Sequence, residues 1–174
     1  MAEGRRTLII GLGNPILGDD GVGWRAVEVF RDQYTSLLSG QPVELDFLSV
    51  GGLSLMERMV GYERAILVDA ALTGIHPIGF VSIFSFEQLP NIAQGHLSSA
   101  HDTTLQNALA VGRNMGASLP KEIWVITIEA KNTYEFSEQL SPPVENAVPQ
   151  VAEIVNQLLS KEHCYESELV TKGG

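Results

Sequence analysis

Cysteine is nearly absent from this chain: Cys164 is the only one in 174 residues. One thiol forms neither an internal disulfide nor a cysteine-based metal cluster. Its polar setting, KEHCYESELVTKGG, lacks the packed surroundings that tune a thiol for nucleophilic attack. Basic residues are also scarce. Eleven lysines and arginines face 21 aspartates and glutamates, giving a net charge of −10. That balance argues against a nucleic-acid partner and for solubility. No apolar run approaches the ~20 residues of a bilayer span, so membrane insertion is not expected. The N-terminal MAEGRRTLIIGLG lacks the apolar stretch and cleavage site of a secretory signal, and the expected location is cytoplasmic.

What the chain has is enough apolar residue for a core: 44% hydrophobic against 18% charged. It carries no repeat, linker or low-complexity tract. The organisation expected is one catalytic α/β domain over 1–160 and a polar C-terminal tail over 161–174.

Two glycine motifs are missing where they would first be sought. In TLIIGLGNPILGDDGVG, Thr7 to Gly23, a dinucleotide fingerprint counted from Gly11 meets Ile16 where its third glycine belongs. A phosphate-cradling loop requires lysine and a hydroxyl residue after Gly18, and the chain supplies Asp19 and Asp20. Two carboxylates repel phosphate. They suit a metal, a cationic group or proton transfer instead. Gly11 and Gly13 read as the residues that turn the chain out of its first strand.

Strand-like and helix-like segments alternate along the chain, the pattern of a layered α/β fold. Thr7–Ile10 is apolar without alternation, as in a strand covered on both faces. Val22, Ala26, Val27, Val29 and Phe30 then share one helical stripe. Asp19 and Asp20 stand at the start of that helix, where a carboxylate has a purely structural use as a cap. Val43–Val50 is a second strand. Gly51-Gly52 turns it into Ser54-Leu-Met-Glu57, a Ser-x-x-Glu capping box. Arg64–Ala70 is a third strand that ends in Asp69, an acid whose burial requires a partner. Gly79–Phe86 alternates like an edge strand. Its short link from the third strand predicts an antiparallel orientation. A helix follows Ser99-Ala-His101-Asp102 and ends near Gly116. Glu122–Ala130 is the fifth strand, and Pro142-Pro143 opens a last helix that runs to about Leu159. The acids of the loop from Glu129 to Phe136 are expected to be solvated.

In a fold that gathers strand ends at one edge, Asp19/Asp20, Asp69 and His101 come together. Two carboxylates and an imidazole can hold a divalent ion such as zinc or nickel with positions left open, or act without metal as acid and base. His76, His96 and His163 lack an acidic partner at useful spacing and read as surface residues. Trp24 and Trp124 read as core or interface residues.

GLGNPILGDDGVG, then LVDA, then SSAHDTTL before a helix, resembles the [NiFe] hydrogenase maturation proteases, peptidase family M52, over roughly residues 7 to 159. The resemblance implies a three-layer α/β/α sandwich with a five-stranded mixed sheet and one antiparallel strand. It implies an endopeptidase that removes the C-terminal extension of a nickel-loaded hydrogenase large subunit precursor. The catalytic, metal-binding residues it implies are Asp20, Asp69 and His101. Nickel is then recognised in the substrate, and another divalent ion such as zinc or cadmium is able to replace it in vitro. Relatives that carry an acid before the glycine turn after strand two are thought to use it in substrate choice, whereas this chain reads Leu48-Ser49-Val50-Gly51-Gly52. Two alternatives accompany this reading. One is a hydrolase like peptidyl-tRNA hydrolase, which also begins with GLGNP but continues with histidine and asparagine. The other is a non-catalytic metal-sensing module on the same fold.

Overall fold

The computed structural model describes residues 5–86, 104–131 and 133–160. Its strands are β1 (Thr7–Leu12), β2 (Val43–Leu48), β3 (Arg64–Ala71), β4 (Val81–Ser85) and β5 (Glu122–Glu129), joined in one sheet in the order β2-β1-β3-β5-β4. Every position of β1 and β3 is buried. Both strands are interior, with other strands on each side and helices on both faces, which is why their sequences do not alternate. β1 pairs in parallel with β2 and β3, and β3 with β5.

β4 is antiparallel, as its short link from β3 predicts, but its neighbour is β5, with Ser82 opposite Thr127. The later strand enters between β3 and β4. The chain order therefore does not give the strand order, because β5 brings the more continuous apolar run and takes the interior position.

Helices α1 (Val22–Leu38), α2 (Gly52–Arg58), α3 (Leu105–Asn114) and α4 (Pro142–Ser160) cover the two faces. On one face, Val22, Ala26, Val27 and Phe30 of α1 and Val144, Val148, Val151 and Val155 of α4 join Ile9, Ile66 and Val68 in one buried cluster. On the other, Leu55 and Met56 of α2 and Leu105, Ala108 and Leu109 of α3 join Leu8, Ile10, Leu67 and Val125. The three-layer sandwich follows from this division. Phe30 is wholly buried, a placement worth about 3 kcal/mol by area.

One local detail departs from the sequence reading. The capping box at Ser54 does not form: α2 already begins at Gly52, and Gly51 holds the cap position without a side-chain bond. Gly52 takes φ +53°, so the turn closes two residues earlier than Ser54 would place it. Helix α3 is capped by Thr104, whose hydroxyl accepts from the Asn107 N–H at 3.3 Å.

The amino end of the sheet is fastened by Arg64. Its buried guanidinium donates to the Leu158 carbonyl at 3.0 Å, near the C-terminus of α4, and to Thr7 Oγ1 at 3.1 Å. A cation there meets the negative end of the helix dipole. At the β2 edge, Arg58 binds Glu44, Asp46 and Tyr62 together, and the Tyr62 hydroxyl donates to Glu44 Oε2 at 2.5 Å. No described helix is long and apolar enough to cross a membrane.

Candidate active site

The glycines after β1 set the site's backbone by closeness. Gly11 lies within β1, and a Cβ placed on it would stand 2.6 Å from the Gly23 carbonyl oxygen. A Cβ on Gly23 would meet the carbonyl oxygens of Leu12 and Val68, each at 2.3 Å. Real Cβ contacts are never so short, so the first turn of α1 rests directly on the main chain of β1 and β3. Gly11 is thus a close-packing position rather than the turn residue expected. The turn falls at Gly13, with φ +124°, where a Cβ would lie 1.8 Å from the Asp20 carbonyl oxygen.

Asp20 is carried by a short 3-10 turn, Gly18–Gly21, that packs against β3. Half-buried, it accepts the Asn14 N–H on Oδ2 at 2.7 Å. Loop backbone and acid hold each other.

Asp19 does not cap α1, contrary to the sequence expectation. Neither the 3-10 turn nor α1 has a side-chain cap bond. Asp19 is wholly buried and points across the molecule. Its Oδ1 accepts the Ser141 N–H at 2.6 Å, and its Oδ2 accepts the Ser141 hydroxyl at 2.9 Å and the Lys131 N–H at 3.3 Å. This carboxylate clamps the loop after β5 to the loop after β1. Two neighbouring acids therefore have separate tasks, which composition could not distinguish.

Asp69 lies two residues before the end of β3 with no exposed surface, beside Thr127 of β5. Its Oδ1 accepts the Ala70 N–H at 2.9 Å. Alternation places Asp69 on the face covered by α2 and α3, since Ala65 and Leu67 belong to that core. α3 follows His101 in the chain. His101 itself lies outside the described residues, as do Ser99, Asp102, His96, His163 and Cys164. Among the described residues, no three histidine, cysteine, aspartate or glutamate side chains form a metal-sized cluster. Asp20 and Asp69 are the described members of the trio.

Glu129 corrects the expectation of solvated acids after β5. It is 3% exposed, and it accepts the Thr73 hydroxyl at 2.6 Å and the Gly74 N–H at 2.7 Å. It pins the loop that follows β3. A clue was present, since Glu129 continues the apolar run ITI at the end of an interior strand. His76 is exposed and stacks on Phe80 at 4.3 Å, as a surface residue would. Trp24 packs on Phe47 at 5.5 Å and donates to the Leu48 carbonyl at 3.3 Å, while part of its surface faces a groove beside the Asp20 turn.

Two acids, one buried near the carboxyl end of β3 and one on an adjoining glycine-tight turn, sit toward the sheet edge where open α/β sheets bind ligands. A sequence model described as HycI, hydrogenase maturation protease, matches residues 48–158, well over half of the chain. The chain belongs to the hydrogenase maturation proteases. The matched span includes Asp69 and His101 and begins beyond Asp20.

This protease is 29% identical to the hydrogenase expression/formation protein HupD of Rhizobium leguminosarum bv. viciae, over 88% of this chain and 74% of that one. It is 26% identical to the hydrogenase 2 maturation protease of Escherichia coli, over 86% and 88%. Among solved structures, the [NiFe] hydrogenase maturation protease HybD of Thermococcus kodakarensis superposes with TM-score 0.61 at 27% identity, covering 89% of this chain and 99% of that chain. The E. coli endopeptidase HybD shares the fold, with TM-score 0.66 at 21% identity over 88% and 91%. These likenesses support a peptidase and do not favour peptidyl-tRNA hydrolase.

Proposed function

We propose that processing of a hydrogenase large subunit precursor, the reaction of this family, is gated here by nickel in the substrate through Asp20, Asp69 and His101. The observation that carries this reading is Asp69: a carboxylate with no exposed surface, near the carboxyl end of an interior strand against which the turn bearing Asp20 packs.

The ligand chemistry supports it. Nickel accepts carboxylate and imidazole, and an incomplete set leaves positions for thiolates that the precursor brings. The metal is then part of what is recognised. A precursor that has received nickel is docked by it, and the peptide bond at the start of the extension is presented to the site. Asp69 and Asp20 are both held by main-chain N–H groups, which fixes the orientation of each carboxylate.

The test is to incubate the purified protein with nickel-loaded and nickel-free precursor and to measure the mass of each. The nickel-loaded form is expected to lose its C-terminal extension and the nickel-free form to stay whole. A nickel-loaded precursor left whole overturns the proposal and favours a non-catalytic metal-sensing module.

A further inference from the structure

We infer that the groove between the first turns of α1 and α4 holds the segment that is cut away, and that it selects an extension bearing lysine or arginine beside apolar side chains. This rests on the precursor-processing reading above. The groove has a volume of about 860 Å³. That falls within the ~300–1,000 Å³ usual for ligand clefts, enough for a short peptide rather than a folded domain.

Its position connects it to the proposed site. Gly18 and Gly21, which bracket Asp20 in the same short turn, both line it. Asp20 is not among the lining residues and Asp69 lies on the opposite face of the sheet, so a chain cut beside Asp20 reaches this groove by passing over the Gly18–Gly21 turn. The lining is of two kinds. Ile16, Trp24, Leu140 and Pro142 give apolar surface, and Glu28, Glu138 and Glu145 give three carboxylates. Arg25 is the only cation among the lining residues, and it already lies 3.7 Å from Glu28. Each helix start contributes about half a positive charge. With Arg25 counted as well, the groove keeps an excess of about one negative charge, in a protein of net charge −10. An acidic segment is disfavoured there, and a cationic one with an apolar neighbour fits both parts of the lining.

The walls are built in advance. The Gly18 N–H donates to the Ser137 carbonyl at 2.7 Å and the Ser137 N–H to the Ile16 carbonyl at 3.0 Å. With the Asp19–Ser141 clamp, these bonds fix the two loops that flank the groove, so binding need not order them.

The test uses the double variant Glu28→Lys/Glu138→Lys, two positions that are not buried and whose exchange leaves the core untouched. An unchanged thermal midpoint checks the fold. With nickel-loaded precursor at low salt, KM is expected to rise about tenfold while kcat stays within about twofold, and the difference should shrink in 0.5 M salt. A precursor whose extension has its lysines and arginines replaced by glutamate should be cut better by the variant than by the parent. A fluorescent synthetic peptide of the extension, followed by anisotropy, should bind the parent about tenfold more tightly than the variant. An unchanged KM, equal loss with both precursors, or a client extension without lysine or arginine overturns the inference. The peptide arm separates two failures: a parent that binds the peptide but cuts no precursor sinks the protease reading and leaves the groove assignment standing.

Discussion

Asp19 and Ser141, 122 positions apart, make two hydrogen bonds to each other, one through the backbone N–H at 2.6 Å and one through the hydroxyl at 2.9 Å. The pair joins the loop after β1 to the start of α4. Asp19→Asn keeps the shape but turns an amide NH₂ toward donors. The expected cost is about 2 kcal/mol, seen as a lower urea midpoint with an unchanged m-value. Ser141→Ala removes only the hydroxyl bond and should cost about 1 kcal/mol.

Gly23→Ala is expected to be far more damaging. Its Cβ would collide with two main-chain oxygens at 2.3 Å that belong to interior strands and cannot move apart. A loss of about 4 kcal/mol or more, or failure to accumulate as folded protein, is expected. Gly40→Ala is the comparison. Gly40 has φ +83° with nothing within 4 Å of its Cβ position, so only the left-handed backbone cost of about 1–2 kcal/mol applies. Thermal midpoints of the two variants measure the difference between steric and conformational demand.

Asp20→Asn, Asp69→Asn and His101→Ala are each expected to block processing of nickel-loaded precursor while the protein stays folded. Loss of an outer-shell partner alone costs about 10–100-fold in metal sites, so loss of a ligand should slow cleavage by about 100-fold or more. Mass measurement of the precursor over time, with circular dichroism as the fold check, tests each residue separately. Full activity in any one variant removes that residue from the proposed trio.

Glu44 should give stability a small acid-sensitive component. The Tyr62 hydroxyl, and then Arg58, hold its carboxyl below the ordinary 4.5. A carboxylate whose folded pKa is depressed stabilises the fold above its unfolded pKa, and that contribution is lost as pH falls through the folded value. The parent should therefore exceed Glu44→Gln in stability at pH 7, and the gap should close as pH drops below 4.5. Because the Glu44 side chain is 52% exposed, solvent screening keeps the gap under about 1 kcal/mol. Urea titrations of both proteins at pH 7 and pH 3.5 would show the convergence.

The fold was legible in the sequence where burial writes a pattern. The unalternating runs of β1 and β3 and the stripes of α1 and α4 each mark a surface that must face apolar neighbours, and the structure places them there. Strand order was less legible, since nothing in Val81–Ser85 says whether β3 or β5 lies beside it. The acids divide in the same way. Asp69 stood out because it ended an apolar run. The partners of Asp19 are more than a hundred residues away, and no local pattern announces them. The groove beside Trp24 was invisible for the same reason, being assembled from two stretches of chain, 15–28 and 138–146, more than a hundred residues apart.

The contact of Gly23 with the carbonyls of Leu12 and Val68 bears on how this protein tolerates change. Where helix and sheet meet through side chains, altering a core volume shifts the helix and whatever it carries. Here the junction that sets Asp20 beside β3 is main chain against main chain, a stop with no side chain to reshape. Core residues such as Ile9 and Val27 can therefore vary while the separation between the two acids stays constant, so sequence drift in the interior is decoupled from the geometry of the site.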